Sequence, residues 1–277
     1  MRMLRTLALI LLLGAAPAPE LPHFAIERPA ALNGRPVGGH LPIVHATVAG
    51  RPGVFLFDTG ANATVLAPRF ADALALPQRN GISGHDSAGQ GVTGTAVRDV
   101  EIVIGDVHRR LANVAVVPIG ALEALGLDGV ISPQSLAGPD CLRIDFGQGM
   151  ATLAPPASPA CTLTGAAVPI GPDNRPHITL SGAQFLLDSG AWRTSLPAGF
   201  APDAPALGGE AHGGVGGSVT TSTLVGPVTL AINGRDLRLE SVARAAPGKP
   251  GVIGFDLLSR AVLLIRPGRD ALLTLDR

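Results

Sequence analysis

The sequence predicts a mostly-β, bilobal chain whose two halves are related by a pseudo-twofold axis. Three observations predict it. Phe55-Leu56-Phe57-Asp58-Thr59-Gly60-Ala61 recurs 130 positions later (58 to 188) as Phe185-Leu186-Leu187-Asp188-Ser189-Gly190-Ala191, and Thr64 and Thr194 keep the same offset. Val100–Ile104 and Val228–Ile232 place apolar residues at alternate positions, the period of a half-buried strand. Long segments with helical apolar spacing are absent, and glycine and proline punctuate the chain throughout.

Read in order, Met1-Arg2-Met3-Leu4-Arg5 followed by Leu7–Leu13 is a charged region and a short apolar run, the form of a secretory leader over residues 1–18. Ala16-Pro17-Ala18 has the small-x-small form of a cleavage site, but Pro19 follows it, so removal and retention as a membrane anchor both stay open. Export would make the protein periplasmic or secreted. Residues 36–153 form the first half: a strand ending in Asp58, a short helix over Pro68–Leu74, a glycine-rich tip, and a strand turned at Gly105-Asp106. The apolar Gly129-Val130-Ile131 and a closing hairpin, Leu142–Phe146 with Met150–Leu153, complete it. Residues 154–165, rich in Pro and Ala, are the linker. Residues 166–277 repeat the order: the Asp188 strand, a short helix over Pro197–Phe200, a second glycine-rich tip, and a hairpin turned at Asn233-Gly234. Gly251-Val252-Ile253-Gly254 follows, then a wholly apolar central strand, Ala261–Ile265, returning through Pro267-Gly268 to Leu272–Leu275.

Composition excludes several classes of function. The formal net charge is +0, aromatic residues make up 3%, and there is no Tyr, so neither a basic field nor a stacking surface recruits nucleic acid. Gly89-Gln90-Gly91-Val92-Thr93-Gly94 spells a dinucleotide-binding pattern, but the following Thr95–Ile104 continues as strand where that motif needs a helix. The seven His show no metal-ligand spacing, so no metal or cofactor is expected. Cys141 and Cys161 flank the closing hairpin; in an oxidising compartment they pair, worth about 3 kcal/mol on the chain-entropy model, against an alternative of two buried thiols.

An acid directly after an apolar strand is costly to bury unless something uses it. Asp58-Thr59-Gly60-Ala61 and Asp188-Ser189-Gly190-Ala191, with the downstream Val130-Ile131 and Val252-Ile253-Gly254, resemble the two signatures of retropepsin and pepsin-like aspartic peptidases. The likeness covers residues 36–277 and is that of a bacterial-type single chain with two retropepsin-like lobes. It implies the bilobal acid-protease fold of two closed β lobes, and an exported endopeptidase acting on a peptide or protein substrate. With both acids in one chain, it also implies a monomer. Membrane attachment would follow only from an uncleaved leader.

The resemblance assigns catalysis to Asp58 and Asp188, which share one proton across a water. Thr59 and Ser189 hold the loops in register, Gly60 and Gly190 let the backbone approach the carboxylates, and Ala61, Ala191, Ile131, Ile253 and Gly254 support the site. The tips at Gly89, Gln90, Gly91 and Gly214, Val215, Gly216 take the place of flaps that close over substrate. Ala61 and Ala191 stand where pepsin-like lobes commonly carry a hydroxyl that binds the carboxylate. Fewer hydrogen bonds to the charged form predict a mildly acidic optimum. Ser132-Pro133 departs from the family's Gly after Val130-Ile131, and it motivates the alternative of an inactive pseudo-peptidase that binds extended peptides in the cleft. A structural protein that keeps the lobes for packing alone is a further alternative. Trp192 is expected in the core, with a substrate subsite as the second possibility.

Overall fold

The computed structural model describes residues 20–85, 90–214, 217, 219–268 and 270–275. The leader over residues 1–18, and the tip residues Gly89, Val215 and Gly216, lie outside the described residues. Among the described residues, each half is built on a seven-stranded sheet. In the first the spatial order is Ile43–Val48, Arg51–Phe57, Gly129–Ile131, Val65–Leu66, Val107–Val116, Gly91–Ile104 and Arg79–His85. In the second it is His177–Leu180, Ala183–Leu187, Gly251–Ile253, Ser195–Leu196, Val242–Arg244, Val219–Val225 and Ala206–Gly213. The two orders correspond strand for strand, so the repeat in the sequence is a repeat of topology.

The strands that end in the acids are apolar on both faces because they lie inside their sheets. Phe55 and Phe57 are fully buried, as are Phe185 and Leu187. Gly129–Ile131 runs parallel to Phe55–Phe57, and Gly251–Ile253 parallel to Phe185–Leu187, in the same register. Only a residue without a side chain fits at Gly129, where a Cβ would come within 2.2 Å of the Val65 carbonyl oxygen. The pseudo-symmetry reaches into the core. Phe55 packs edge-on against Phe70 with centroids 5.5 Å apart, and Phe185 packs against Phe200 at 5.4 Å, both pairs 130 residues apart from their counterparts. Each buried aromatic contributes about 1.5–3 kcal/mol from area alone, with the edge contact adding to it.

Three features differ from the sequence reading. The closing hairpins do not close their own lobes. Cys141–Asp145 pairs antiparallel with Ala261–Arg266 of the other half (Leu142 opposite Ile265), giving a six-stranded sheet shared between the halves. His23–Ala25 adds to one edge of that sheet beside Met150–Thr152. Ala261–Arg266 is central in this sheet, which is why every residue from Ala261 to Ile265 is buried. The second difference is at Pro197–Phe200, which is a turn and not a helix. Gly199 sits there at φ +82°, a left-handed conformation that stops helical propagation, whereas Pro68–Ala73 continues for six residues. Third, the long first-lobe strand Gly91–Ile104 has a broken counterpart: Val219–Val225 stops at Gly226-Pro227, and Val228–Ile232 pairs with Arg235–Leu239 as a separate hairpin. Proline carries no N–H for a ladder bond.

Cys141 and Cys161 form a disulfide, with Cα atoms 5.5 Å apart, that fastens the linker to the shared sheet. Among the described residues no helix is long and apolar enough to cross a membrane.

Candidate active site

The two motif loops meet at the pseudo-twofold axis, where Thr59 and Ser189 are completely buried. A buried hydroxyl costs free energy unless it is satisfied, and here both are. Thr59 N–H donates to Ser189 Oγ at 3.0 Å, and Ser189 N–H donates to Thr59 Oγ1 at 2.9 Å. Each hydroxyl then donates to the strand of the opposite half, Thr59 Oγ1 to Leu187 C=O at 2.8 Å and Ser189 Oγ to Phe57 C=O at 2.7 Å. Four bonds cross the axis. At about 0.5–1.5 kcal/mol net each, they fix the relative position of the two loops within narrow limits.

The same contact brings the carboxylates together. A Cβ built on Gly60 would lie 2.4 Å from Asp188 Cγ, and one built on Gly190 would lie 2.6 Å from Asp58 Oδ2. Each glycine therefore makes room for the acid of the other half. Gly60 N–H donates to Asp58 Oδ1 at 2.7 Å; Gly190 N–H and Ala191 N–H donate to Asp188 Oδ1 at 2.9 and 3.0 Å. As whole residues both acids are half-buried. Burial holds Asp58 well above the usual carboxylate range, and the neighbouring Asp188 charge adds to the displacement. Burial also raises Asp188, against the pull of the hydrogen bond from Asp58, the Ala191 and Gly190 N–H groups, and the positive charge of Arg175. Like charges this close resist joint ionisation, so burial and the neighbouring acid act together against a doubly ionised pair.

Support comes from the parallel strands. Asp58 N–H donates to Ile131 C=O and Asp188 N–H to Ile253 C=O, both at 3.0 Å. Behind them Ser132 N–H donates to Thr64 Oγ1 at 3.3 Å, and Gly254 N–H to Thr194 Oγ1 at 3.1 Å. Ser132 thus makes the same backbone bond as Gly254. Its side chain is accommodated as well, fully buried and donating to Gln134 Oε1 at 3.2 Å. Gly254 has no such room, since a Cβ would come 2.4 Å from the Arg193 carbonyl carbon. Two supporting residues escaped the sequence reading. Gln134 Nε2 donates to Thr59 C=O at 2.7 Å, and Asp256 Oδ1 accepts from the Thr194 N–H and hydroxyl at 3.0 and 2.7 Å. They occupy matching places, three residues after Ile131 and Ile253, and that shared spacing is the signal that could have found them.

The glycine-rich tips end two hairpins, Arg79–His85 with Gly91–Ile104 and Ala206–Gly213 with Val219–Val225. Gln90 and Gly91 are exposed, whereas Gly214 is buried. Trp192 is half-buried and not in the core. Its ring lies 5.8 Å from that of His40 of the first half, and the Arg193 guanidinium stacks on it at 4.3 Å. His212 bonds Thr220 across its own hairpin at 2.8 Å. Among the described residues, no cluster of three or more His, Cys, Asp or Glu could hold a metal ion.

Comparison with known proteins agrees with this geometry. Residues 44–134, which run from the first strands through the Asp58 motif to Gln134, match the family model described as aspartyl protease. The solved structure of basic 7S globulin from soybean is similar over 92% of this chain and 94% of that one, with a TM-score of 0.56 at 10% identity. A search of curated proteins gave no match. The resemblance to aspartic peptidases thus holds at two levels, a family match across the first lobe and a shared bilobal fold across nearly the whole chain.

Proposed function

We propose that this chain, with its aspartyl protease match in the first lobe and a second acid motif in the other, is an exported aspartic endopeptidase working through Asp58 and Asp188. The observation that carries the reading is the reciprocal packing of each acid against the glycine of the opposite motif. That packing brings two carboxylates within reach of one water, in a site where burial favours a shared proton. The Cys141–Cys161 disulfide supports export to an oxidising compartment. The substrate is a peptide or protein bound along the inter-lobe cleft, and one chain carrying both motifs works as a monomer.

Asp58 carries the shared proton in this mechanism. Asp188 is the ionised partner, because it takes the hydrogen bond from the Asp58 carboxyl and the Arg175 charge favours its carboxylate form. Asp188 takes a proton from the water as its oxygen attacks the scissile carbonyl carbon, and Asp58 donates its own to the carbonyl oxygen. The tetrahedral diol then collapses: Asp58 recovers a proton from one hydroxyl, Asp188 passes its proton to the leaving nitrogen, and the C–N bond breaks. Both acids are raised by burial, Asp58 well above its ordinary value, which supports a mildly acidic optimum over one near pH 2–3.

The accommodation of Ser132 weighs against the pseudo-peptidase alternative. Its departure from glycine costs neither the Thr64 bond nor a buried unsatisfied hydroxyl. The test is cleavage of a mixed peptide pool scanned from about pH 3 to 7, the range that brackets such a carboxylate pair. Asp58→Asn and Asp188→Asn should each abolish turnover while the fold survives. Turnover retained by both variants, or absent from the folded parent at every pH, would overturn the reading.

A further inference from the structure

The pseudo-twofold repeat gives the cleft two matching sides, and they differ in chemistry. Phe57 N–H donates to the Pro42 carbonyl and Leu187 N–H to the Pro176 carbonyl, both at 2.9 Å, so Pro42 and Pro176 are counterparts. The residues before them match in turn, His40 with Asn174 and Leu41 with Arg175. Asn62 and Trp192, each four positions after its acid, are counterparts as well. These residues meet reciprocally across the halves. His40 of the first half reaches Trp192 of the second, with ring centroids 5.8 Å apart. Asn174 of the second half reaches Asn62 of the first, its Nδ2 donating to the Asn62 carbonyl at 3.0 Å. The dyad lies on the axis between them, so an extended peptide that crosses it passes one contact on each side of the scissile bond.

The side at Trp192 is aromatic and offers no free cation. Arg193 stacks on the ring, but Glu210 and Ser241 occupy its guanidinium. The side at Asn62 is polar, and it carries Arg175 where the counterpart is the apolar Leu41. Arg175 Nε donates to Asp173 Oδ2 at 2.7 Å, and His177 Nε2 lies 3.2 Å from the same oxygen. Burial opposes ionisation of Asp173, but the hydrogen bonds and charges of Arg175 and His177 hold its carboxyl below the ordinary value. The backbone is fixed too, with Gly171 N–H donating to the Arg175 carbonyl at 2.8 Å and Asn174 N–H to the Gly171 carbonyl at 2.9 Å. Burial raises Asp188 and the Arg175 charge acts against it, so the guanidinium stands near the dyad. Its side chain keeps 39% of its exposure, and among the described residues nothing accepts a hydrogen bond from Nη1 or Nη2. An ordered, planar fork with two open donors suits a carboxylate, which brings two acceptor oxygens and a charge; an amide brings one oxygen and none.

We propose that Arg175 is a specificity-determining residue that takes an Asp or Glu side chain of the substrate through Nη1 and Nη2, so that acidic peptides bind with the acid on one side of the scissile bond. Leu41, at the matching place, supplies no charge, and that makes the preference one-sided. The position of the acid relative to a cut bond rests on the peptidase reading; the binding of an acidic peptide does not.

Two pools of short, tryptophan-free peptides, identical except that one carries Glu where the other carries Gln, test the anchor on the full chain. Binding is followed in the Asp58→Asn variant, which prevents turnover, by the fluorescence of Trp192, the chain's single tryptophan. At about pH 6, where a glutamate side chain is ionised, the Glu pool should bind about tenfold more tightly than the Gln pool. Adding Arg175→Gln should weaken the Glu pool about tenfold and the Gln pool by less than about twofold, a split that a merely structural role would not produce. Arg175→Lys, which keeps the charge and loses the fork, should fall between. In the parent enzyme, sequencing of the cut peptides should find acidic residues enriched on one side of the scissile bond, and Arg175→Gln should abolish that enrichment. Equal affinity for the two pools (absence of binding included), equal weakening of both by Arg175→Gln, or enrichment on both sides of the bond would overturn the proposal. A preference for the Glu pool without any cleavage by the parent would remove the peptidase reading and support the anchor by itself.

Discussion

At the residue scale the two acids carry a cost that the fold absorbs, and that cost has a sign. Burial raises both carboxyls. A group raised in the folded state contributes stability at low pH and loses it as pH climbs through its folded value. The dyad should therefore weaken the fold near neutrality and be harmless in acid. Asp58→Asn replaces the raised carboxyl by a group that cannot ionise, and should raise Tm at pH 7 by roughly 2–4 °C for each kcal/mol recovered in a chain of this size. The gain should vanish below about pH 4, where ordinary carboxyls are already protonated. An equal gain at both pH values, measured by thermal melts, would show that something other than the acid's charge is responsible. Asp58 and Asp188 were legible in the sequence because a motif of seven residues repeats around them. Arg175 was not: it comes to Asp188 through the register of one hairpin, in which the Pro176 carbonyl accepts from Leu187 N–H at 2.9 Å, and no motif marks that register.

Among the elements, the loops behind the acids show how far the halves have parted. Ser132 and Gly254 make the same backbone bond, but only Gly254 is pressed against another backbone. Gly254→Ala should destabilise by about 1–3 kcal/mol through overpacking and lower activity by tilting Arg193 and the motif loop. Ser132→Gly should cost no more than about 1 kcal/mol, from a lost hydrogen bond and a looser unfolded chain. Denaturant melts of the two variants compare them directly; similar losses would mean that the two loops carry equal packing loads after all. The strands and turns were readable because alternation at Val100–Ile104 and the Asn233-Gly234 turn are local signals. The helix read over Pro197–Phe200 failed because one left-handed glycine outweighs an initiating proline.

For the whole molecule, the shared six-stranded sheet decides what counts as a folding unit. The sequence divides cleanly at the linker, and a division there was the natural reading of two matched halves. Partner choice between strands is a long-range matter, however, and Leu142 finds Ile265 across more than a hundred residues. Residues 36–153 expressed alone would expose the edge of Cys141–Asp145 that the second half covers, and an unpaired edge invites another chain. Sedimentation should find that fragment as a dimer or larger, and the full chain as a monomer. A folded, monomeric fragment would show that the shared sheet is dispensable.

Gly60 and Gly190 extend that dependence to the smallest scale, since each leaves the space that the other half's acid fills. A methyl group gained in one lobe would injure the acid of the other, while the lobe that acquired it could fold undisturbed. The two copies are therefore not free to drift apart at this point, and any change that suits one half is judged by its effect on its twin. A duplicated text that has diverged through much of its length keeps this phrase almost letter for letter, because each copy is proofread by the other.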